Sequence, residues 1–171
     1  DTPAQIALSH ELMRGIGGGK PFLLMEQTPS VTNWLPYNAL KRPGVMRLWS
    51  YQAVAHGADS VMFFQMRRSI GACEKYHGAI IDHVGNENTS VFREVAQLGA
   101  EMESFGDRTL GSRNEAEVGL FFDWDNYWAL EYTSGPSEDL KYVDQIQQYY
   151  QYFYKKNIGV DMIPVDADFS K

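Results

Sequence analysis

Only one cysteine, Cys73, occurs in the 171 residues, which excludes an intramolecular disulfide framework and any zinc site built from several thiolates. Cationic residues are scarce as well. Fifteen Lys and Arg against 22 Asp and Glu leave a net charge of −7, with no basic stripe to follow a phosphate backbone. No apolar stretch approaches the roughly 20 residues of a membrane-spanning helix, no signal-peptide pattern opens the chain, and repeats and low-complexity tracts are missing. A single thiol suits a reducing compartment, so the expected location is the cytoplasm. An initiating Met is also lacking: the chain begins at Asp1, enters a helical pattern at once and stops just after a strand-like segment. It reads as a piece of a longer protein.

What is present is ample material for a core, with 44% apolar and 13% aromatic residues. Helical and strand-like segments alternate, which implies parallel α/β units. A helix is expected from about Ala4 to Ile16, closed by Gly17-Gly18-Gly19, then a buried strand from Pro21 to Met25. A long loop from Glu26 to Pro43 precedes a helix at Val45–His56 and a strand at Asp59–Met66. A second loop, Arg67 to Gly85, leads to an amphipathic helix at Ser90–Phe105 with Val91, Val95, Leu98 and Met102 on one face. Polar, glycine-containing residues 109–114 read as a linker between residues 1–108 and 115–171. Beyond it a strand is expected from Val118, a long loop over Trp124–Ser137, a helix over Asp139–Asn157 and a final strand at Val160–Ile163.

Candidate chemistry concentrates at the strand ends. Glu26 sits where a short apolar run stops, and a carboxylate at the C-terminal end of a buried parallel strand lies on the rim where α/β folds keep their chemistry. A loop cap or an ordinary ion pair is the competing role for it. Retaining glycoside hydrolysis needs two carboxyl groups about 5–5.5 Å apart, and Glu74 is the best-placed second acid within the chain. Glu74 and His77, three residues apart, would face the same way on a helical turn. Such a pair suits adjacent sugar hydroxyls, a metal half-site or a mere local contact. Trp34 is either tucked against the core edge or a platform for a sugar ring. Arg67 is expected to support a rim carboxylate rather than react. His56 reads as a helix-end charge, and His10 and His83 as surface residues. Ser30 and Ser50 lack a nucleophile elbow. The glycine run before Lys20 precedes a strand instead of a helix, which rules out a phosphate loop.

Several of these residues belong to spaced motifs. Phe22-Leu23-Leu24-Met25-Glu26-Gln27-Thr28-Pro29-Ser30, Asn33-Trp34 and Lys41-Arg42-Pro43-Gly44 are followed by Gln52 and Ala55-His56-Gly57-Ala58-Asp59. Phe63-Phe64-Gln65, Arg67, Ser69, Gly71 and Glu74-Lys75-Tyr76-His77-Gly78 come next. In this order they resemble the glycoside hydrolase family 42 β-galactosidases. The resemblance implies that Glu26 is the nucleophile ending the seventh barrel strand and that Trp34, Glu74 and His77 contact the galactosyl unit. It also implies a fold: the last strands and helices of a (β/α)₈ TIM barrel, then the start of an α/β, flavodoxin-like trimerisation domain. The chain departs from the usual pattern at Met66, where the family commonly has Trp, and at Ala72, where it commonly has Gly.

The family's acid/base glutamate follows the fourth barrel strand in an Asn-Glu pair. The pairs present here, Asn86-Glu87 and Asn114-Glu115, do not follow a buried strand in that order. The expectation is therefore a retaining β-galactosidase segment that carries the nucleophile, lacks the acid/base and is inactive alone. No cofactor is expected in this segment, and any metal cluster of the family would lie outside it. A β-galactoside substrate and a homotrimer of the full-length protein are the expected partners. The rival expectation is a non-catalytic oligomerisation segment, for which the aromatic run Tyr149, Tyr150, Tyr152, Phe153 and Tyr154 argues. A metal-dependent hydrolase using Glu74 and His77 is a third.

Overall fold

A computed structural model describes residues 2–168. Ten elements follow one another: α1 (Thr2–Ile16), β1 (Phe22–Gln27), α2 (Val45–Ala55), β2 (Ala58–Phe63), α3 (Ser90–Phe105), a 3₁₀ turn (Gly106–Arg108), β3 (Val118–Phe122), α4 (Trp124–Tyr132), α5 (Tyr142–Tyr154) and β4 (Val160–Pro164). They form two compact units. One comprises Leu23–Ser112, and the other joins the chain up to Phe22 with the chain from Arg113 onward.

In the Leu23–Ser112 unit, β1 and β2 pair in a two-stranded sheet, and α2 and α3 supply the helical layer. Gly44, at φ 85°, begins α2 without a side-chain cap of its own. Glu94 of α3 takes that part, its Oε1 accepting from Gly44 N at 3.0 Å and Arg47 N at 3.3 Å. A carboxylate at a helix N-terminus satisfies orphan amides and complements the helix dipole. Thr89 caps α3 by accepting from Phe92 N at 3.1 Å. Further along, Arg47 donates to both oxygens of Glu101, at 2.6 and 2.9 Å, and Tyr51 adds a bond of 2.8 Å. The expected stripe on α3 is present: Leu98 is buried, and Val95, Leu98 and Met102 line an apolar hollow of about 510 Å³ with Val54, Ala58 and Phe63.

The expectation of a buried strand after Pro21 needs correction. Along β1 no position is buried: half-buried and exposed positions alternate up to Met25, Glu26 is exposed as well, and Leu23 and Met25 are 54% and 69% exposed. A strand turns successive side chains to opposite faces, and in this unit one of those faces is uncovered.

In the other unit, β3 and β4 pair in parallel, with Val118 opposite Val160 and Leu120 opposite Met162. Ala7, Leu8, Phe122, Ile146, Tyr150, Val160 and Met162 form the core. Helix α1 packs on β4 and α5 with Ala4 and Ala7 fully buried. Its approach is close enough that a β-carbon on Gly15 would run into the Met162 carbonyl. On the same helix Arg14, 3% exposed, pairs with Glu11 and with Asp161, the latter at 2.6 Å. Arg14 and Glu11 are buried, whereas the Asp161 carboxylate is half-exposed. The cost of about 3–5 kcal/mol for breaking a buried ion pair therefore applies to removing Arg14 from beside Glu11. Burial and the neighbouring Glu11 carboxylate push the Tyr150 phenol up. Helix α1 thus packs with the C-terminal segment, although it precedes the first strand by only a few residues.

Three further expectations change. Trp124–Tyr132 is a helix, not a loop: Asp123 caps it through Asp125 N at 3.0 Å, and Trp124, Tyr127 and Trp128 recur at the helical spacing of three and four residues. α5 begins at Tyr142 rather than Asp139, because Ser137 first closes a turn, its Oγ accepting from Asp139 N and its carbonyl from Leu140 N. His10 is buried, 8% exposed, and stacks on Phe22 with ring centroids 5.4 Å apart. On α5, Ile146 and Tyr150 face inward while Tyr149 and Tyr152 are exposed, so the aromatic run divides between two faces. No helix of the described residues is long and apolar enough to cross a membrane.

Candidate active site

Glu26 stands next to last in β1 and is exposed. The following residue, Gln27, accepts from the amide of Phe64 at 3.1 Å. This bond fixes the end of β1 beside the chain just past β2. Phe64 joins Gln65 by a cis peptide, and beyond a bend Arg67 forms a parallel bridge with Ile81. Ile80 N donates to Gln65 O, Ile81 N to Met66 O and Arg68 N to Ile81 O, each at 2.9 Å. The segment between, residues 69–79, is a loop of turns and bends.

That loop and the one after β1 are stitched together by side chains and backbone. Asn33 Nδ2 donates to the Cys73 carbonyl at 2.7 Å, and Asn38 Nδ2 to the Tyr76 carbonyl at 3.2 Å. Gly78 N donates to Val31 O at 2.9 Å. His77 Nδ1 lies 3.1 Å from Asn33 Oδ1. Lys41 secures the first loop from below: its Nζ donates to Ser30 O at 2.8 Å and sits 5.4 Å from the centre of the Trp49 ring. Burial pushes the Lys41 ammonium below its usual range. The second loop has its own anchor in Arg68, which bonds Tyr76 O at 2.7 Å and Asp82 at 2.8 Å.

These bonds place the sequence-derived candidates. Glu74 and His77 occupy consecutive turns, with His77 N donating to Glu74 O at 2.9 Å. His77 is 2% exposed and meets the Phe64 ring edge-on, centroids 5.4 Å apart. Glu74 is half-buried. Trp34, next to Asn33, is 71% exposed, so its indole is open at the loop surface instead of tucked against the core. Arg67 is exposed and tied through its backbone to Ile81. Ser50 is fully buried and bonds Met46 O, and Ser30 is buried beneath Lys41. His83 is exposed, with Nε2 2.7 Å from Ser69 O. Among the described residues no three His, Cys, Asp or Glu side chains are grouped to share a metal.

The same residues match known proteins throughout. A family model described as β-galactosidase matches residues 1–105, and one described as the β-galactosidase trimerisation domain matches residues 116–171. The chain belongs to the glycoside hydrolase family 42 β-galactosidases. It is 60% identical over its whole length to β-galactosidase BgaA of Planococcus sp. strain SOS Orange, covering 25% of that protein. The crystal structure of the β-galactosidase from Bacillus circulans sp. alkalophilus superposes with a TM-score of 0.95 at 62% identity, over 98% of this chain and 25% of that one. That of Rahnella sp. R3 gives 0.92 at 48% identity, over 97% and 24%. The chain thus spans about a quarter of the length of these relatives. It has the α/β fold of the family 42 enzymes, and its relatives are enzymes that belong to the glycoside hydrolases.

For this family 42 segment, the residues that sequence reasoning did not weigh are those that hold the others in place. Asn33 was legible only as the neighbour of Trp34, and Lys41 only as part of a motif. Gly78 is required by packing, since a β-carbon there would run into Ser30 Oγ and lie 2.8 Å from Val31 N.

Proposed function

We propose that this chain is the part of a retaining β-galactosidase that carries the nucleophile, and that the whole enzyme removes terminal non-reducing β-D-galactosyl units by double displacement. The observation that supports it best is the pair of stitched loops bearing Trp34, Glu74 and His77 beside the strand end that carries an exposed Glu26. In the first step a carboxylate oxygen of Glu26 bonds to the anomeric carbon as the bond to the leaving oxygen breaks, through an oxocarbenium-like transition state. A glutamate outside this chain gives its proton to the leaving oxygen and then takes one from the water that displaces Glu26. Glu74 and His77 hold galactosyl hydroxyls and Trp34 contacts the sugar. Arg67 supports the rim. Discrimination of the axial hydroxyl rests on buried polar partners, since an unpaired one is heavily penalised.

In this reading residues 1–108 are the last part of a (β/α)₈ barrel. The uncovered Leu23 and Met25 and the apolar hollow beside α3 are surfaces that the remaining barrel would cover. Residues 116–171 take part in a homotrimer, for which the exposed Tyr149 and Tyr152 of α5 supply apolar surface.

Proton NMR of the complete enzyme acting on 4-nitrophenyl β-D-galactopyranoside tests the reaction. The β anomer of galactose is expected first, and first appearance of the α anomer would overturn the retaining mechanism. The purified 171-residue chain is expected to hydrolyse nothing, and full turnover by it would sink the claim that the acid/base lies elsewhere.

A further inference from the structure

The imidazole of His77 is buried, and its two nitrogens are treated differently. Nδ1 faces Asn33 Oδ1 at 3.1 Å. The orientation of that amide is fixed on its other side, where Nδ2 lies 2.7 Å from the Cys73 carbonyl. A carbonyl only accepts, so the NH₂ of Asn33 must point at Cys73 and its oxygen at His77. An oxygen acceptor facing Nδ1 requires the proton to sit on Nδ1. In a neutral imidazole this leaves Nε2 as a bare acceptor. Among the described residues, Nε2 is a buried atom with no hydrogen-bond partner, so its lost hydration stays uncompensated until a ligand relieves it.

We propose that Asn33 is a positioning residue which locks His77 in the Nδ1–H tautomer, so that Nε2 accepts a hydrogen bond from one galactosyl hydroxyl. The inference rests on the reading of His77 as a sugar ligand and goes beyond it. It sets the direction of the bond: the sugar O–H donates and the enzyme accepts. It also assigns the specificity of this contact to a side chain that does not itself touch the sugar. The edge-on Phe64 ring, 5.4 Å from the imidazole, closes one side and keeps the ring from turning.

Fluorine distinguishes the two directions, because C–F can only accept, weakly, and cannot donate. The complete enzyme and its Asn33→Leu variant would be compared on 4-nitrophenyl β-D-galactopyranoside and its 3-, 4- and 6-deoxyfluoro analogues. Taking the ratio between the two enzymes cancels the inductive effect of fluorine on the reaction. The wild type should prefer hydroxyl to fluorine at one position by a margin that shrinks about tenfold in Asn33→Leu, the worth of one hydrogen bond. The loss should appear in KM at least as strongly as in kcat. Asn33→Asp, which keeps an oxygen facing Nδ1, should restore part of the margin, and it serves as the second test if the leucine variant does not fold. An unchanged margin in both variants, with normal hydrolysis of the parent galactoside, would overturn this inference and leave the galactosidase reading intact. No hydrolysis of the parent by the wild type would overturn both.

Discussion

The amide of Gly78 donates to the carbonyl of Val31 across 2.9 Å, and the space around its α-carbon is already taken by Ser30 and Val31. This bond holds the loop bearing Trp34 against the turn bearing Glu74 and His77. A methyl group at Gly78 has nowhere to go without separating them. Gly78→Ala should therefore cost about 1–3 kcal/mol and raise KM for a β-galactoside together with it. Thermal unfolding and steady-state kinetics of the complete protein check this. A variant as stable and as active as the parent would mean the loops are not held here.

Ala72 precedes this turn in the left-handed region, at φ 62°, where a β-carbon costs roughly 1–2 kcal/mol. Glycine removes that cost but gives the unfolded chain more freedom. The net expectation for Ala72→Gly is a gain of up to about 1 kcal/mol, with kcat unchanged. Denaturant unfolding measures it, and a loss of stability would show that the Ala methyl contributes packing.

Glu101 receives bonds from Arg47, Tyr51 and Gln97. The Arg47 guanidinium foremost, then the Tyr51 hydroxyl, hold its carboxyl down at about 2 against an ordinary 4.5. A depressed carboxylate contributes stability that is complete above its unfolded value and is lost as pH falls through the folded one. The contribution from Glu101 should thus disappear between about pH 4.5 and pH 2. Glu101→Gln should be less stable than the parent at neutral pH and draw level with it toward pH 2. Urea midpoints across that range test the sign, and parallel curves would contradict it.

How far the sequence could be read follows from the kind of signal each element carries. α3 was bounded from the pattern of Val91, Val95, Leu98 and Met102 because one apolar face repeats along it, and Glu26 was found because an apolar run stops there. α4 escaped because Asp, Asn and Tyr in Trp124–Tyr132 resemble a loop in composition, although Trp124, Tyr127 and Trp128 keep helical spacing. The burial of His10 depends on Phe22, and the packing of α1 on β4 depends on residues some 150 positions away. Neither leaves a local trace. The roles assigned to Glu26, Trp34, Glu74 and His77 came from motif resemblance. What sequence could not supply was the support beneath them, from Asn33, Lys41 and Gly78, because such support is a matter of distances between loops.

The most direct test of the central claim is chemical rescue of the complete enzyme carrying Glu26→Gly, using an activated aryl β-galactoside with and without azide. Turnover should fall by several orders of magnitude, since no covalent intermediate can form. Azide, filling the space of the missing carboxylate, should restore release of the aryl group and give α-galactosyl azide. Near-normal turnover without azide, or β-galactosyl azide as the product, would contradict the assignment of Glu26 as the nucleophile.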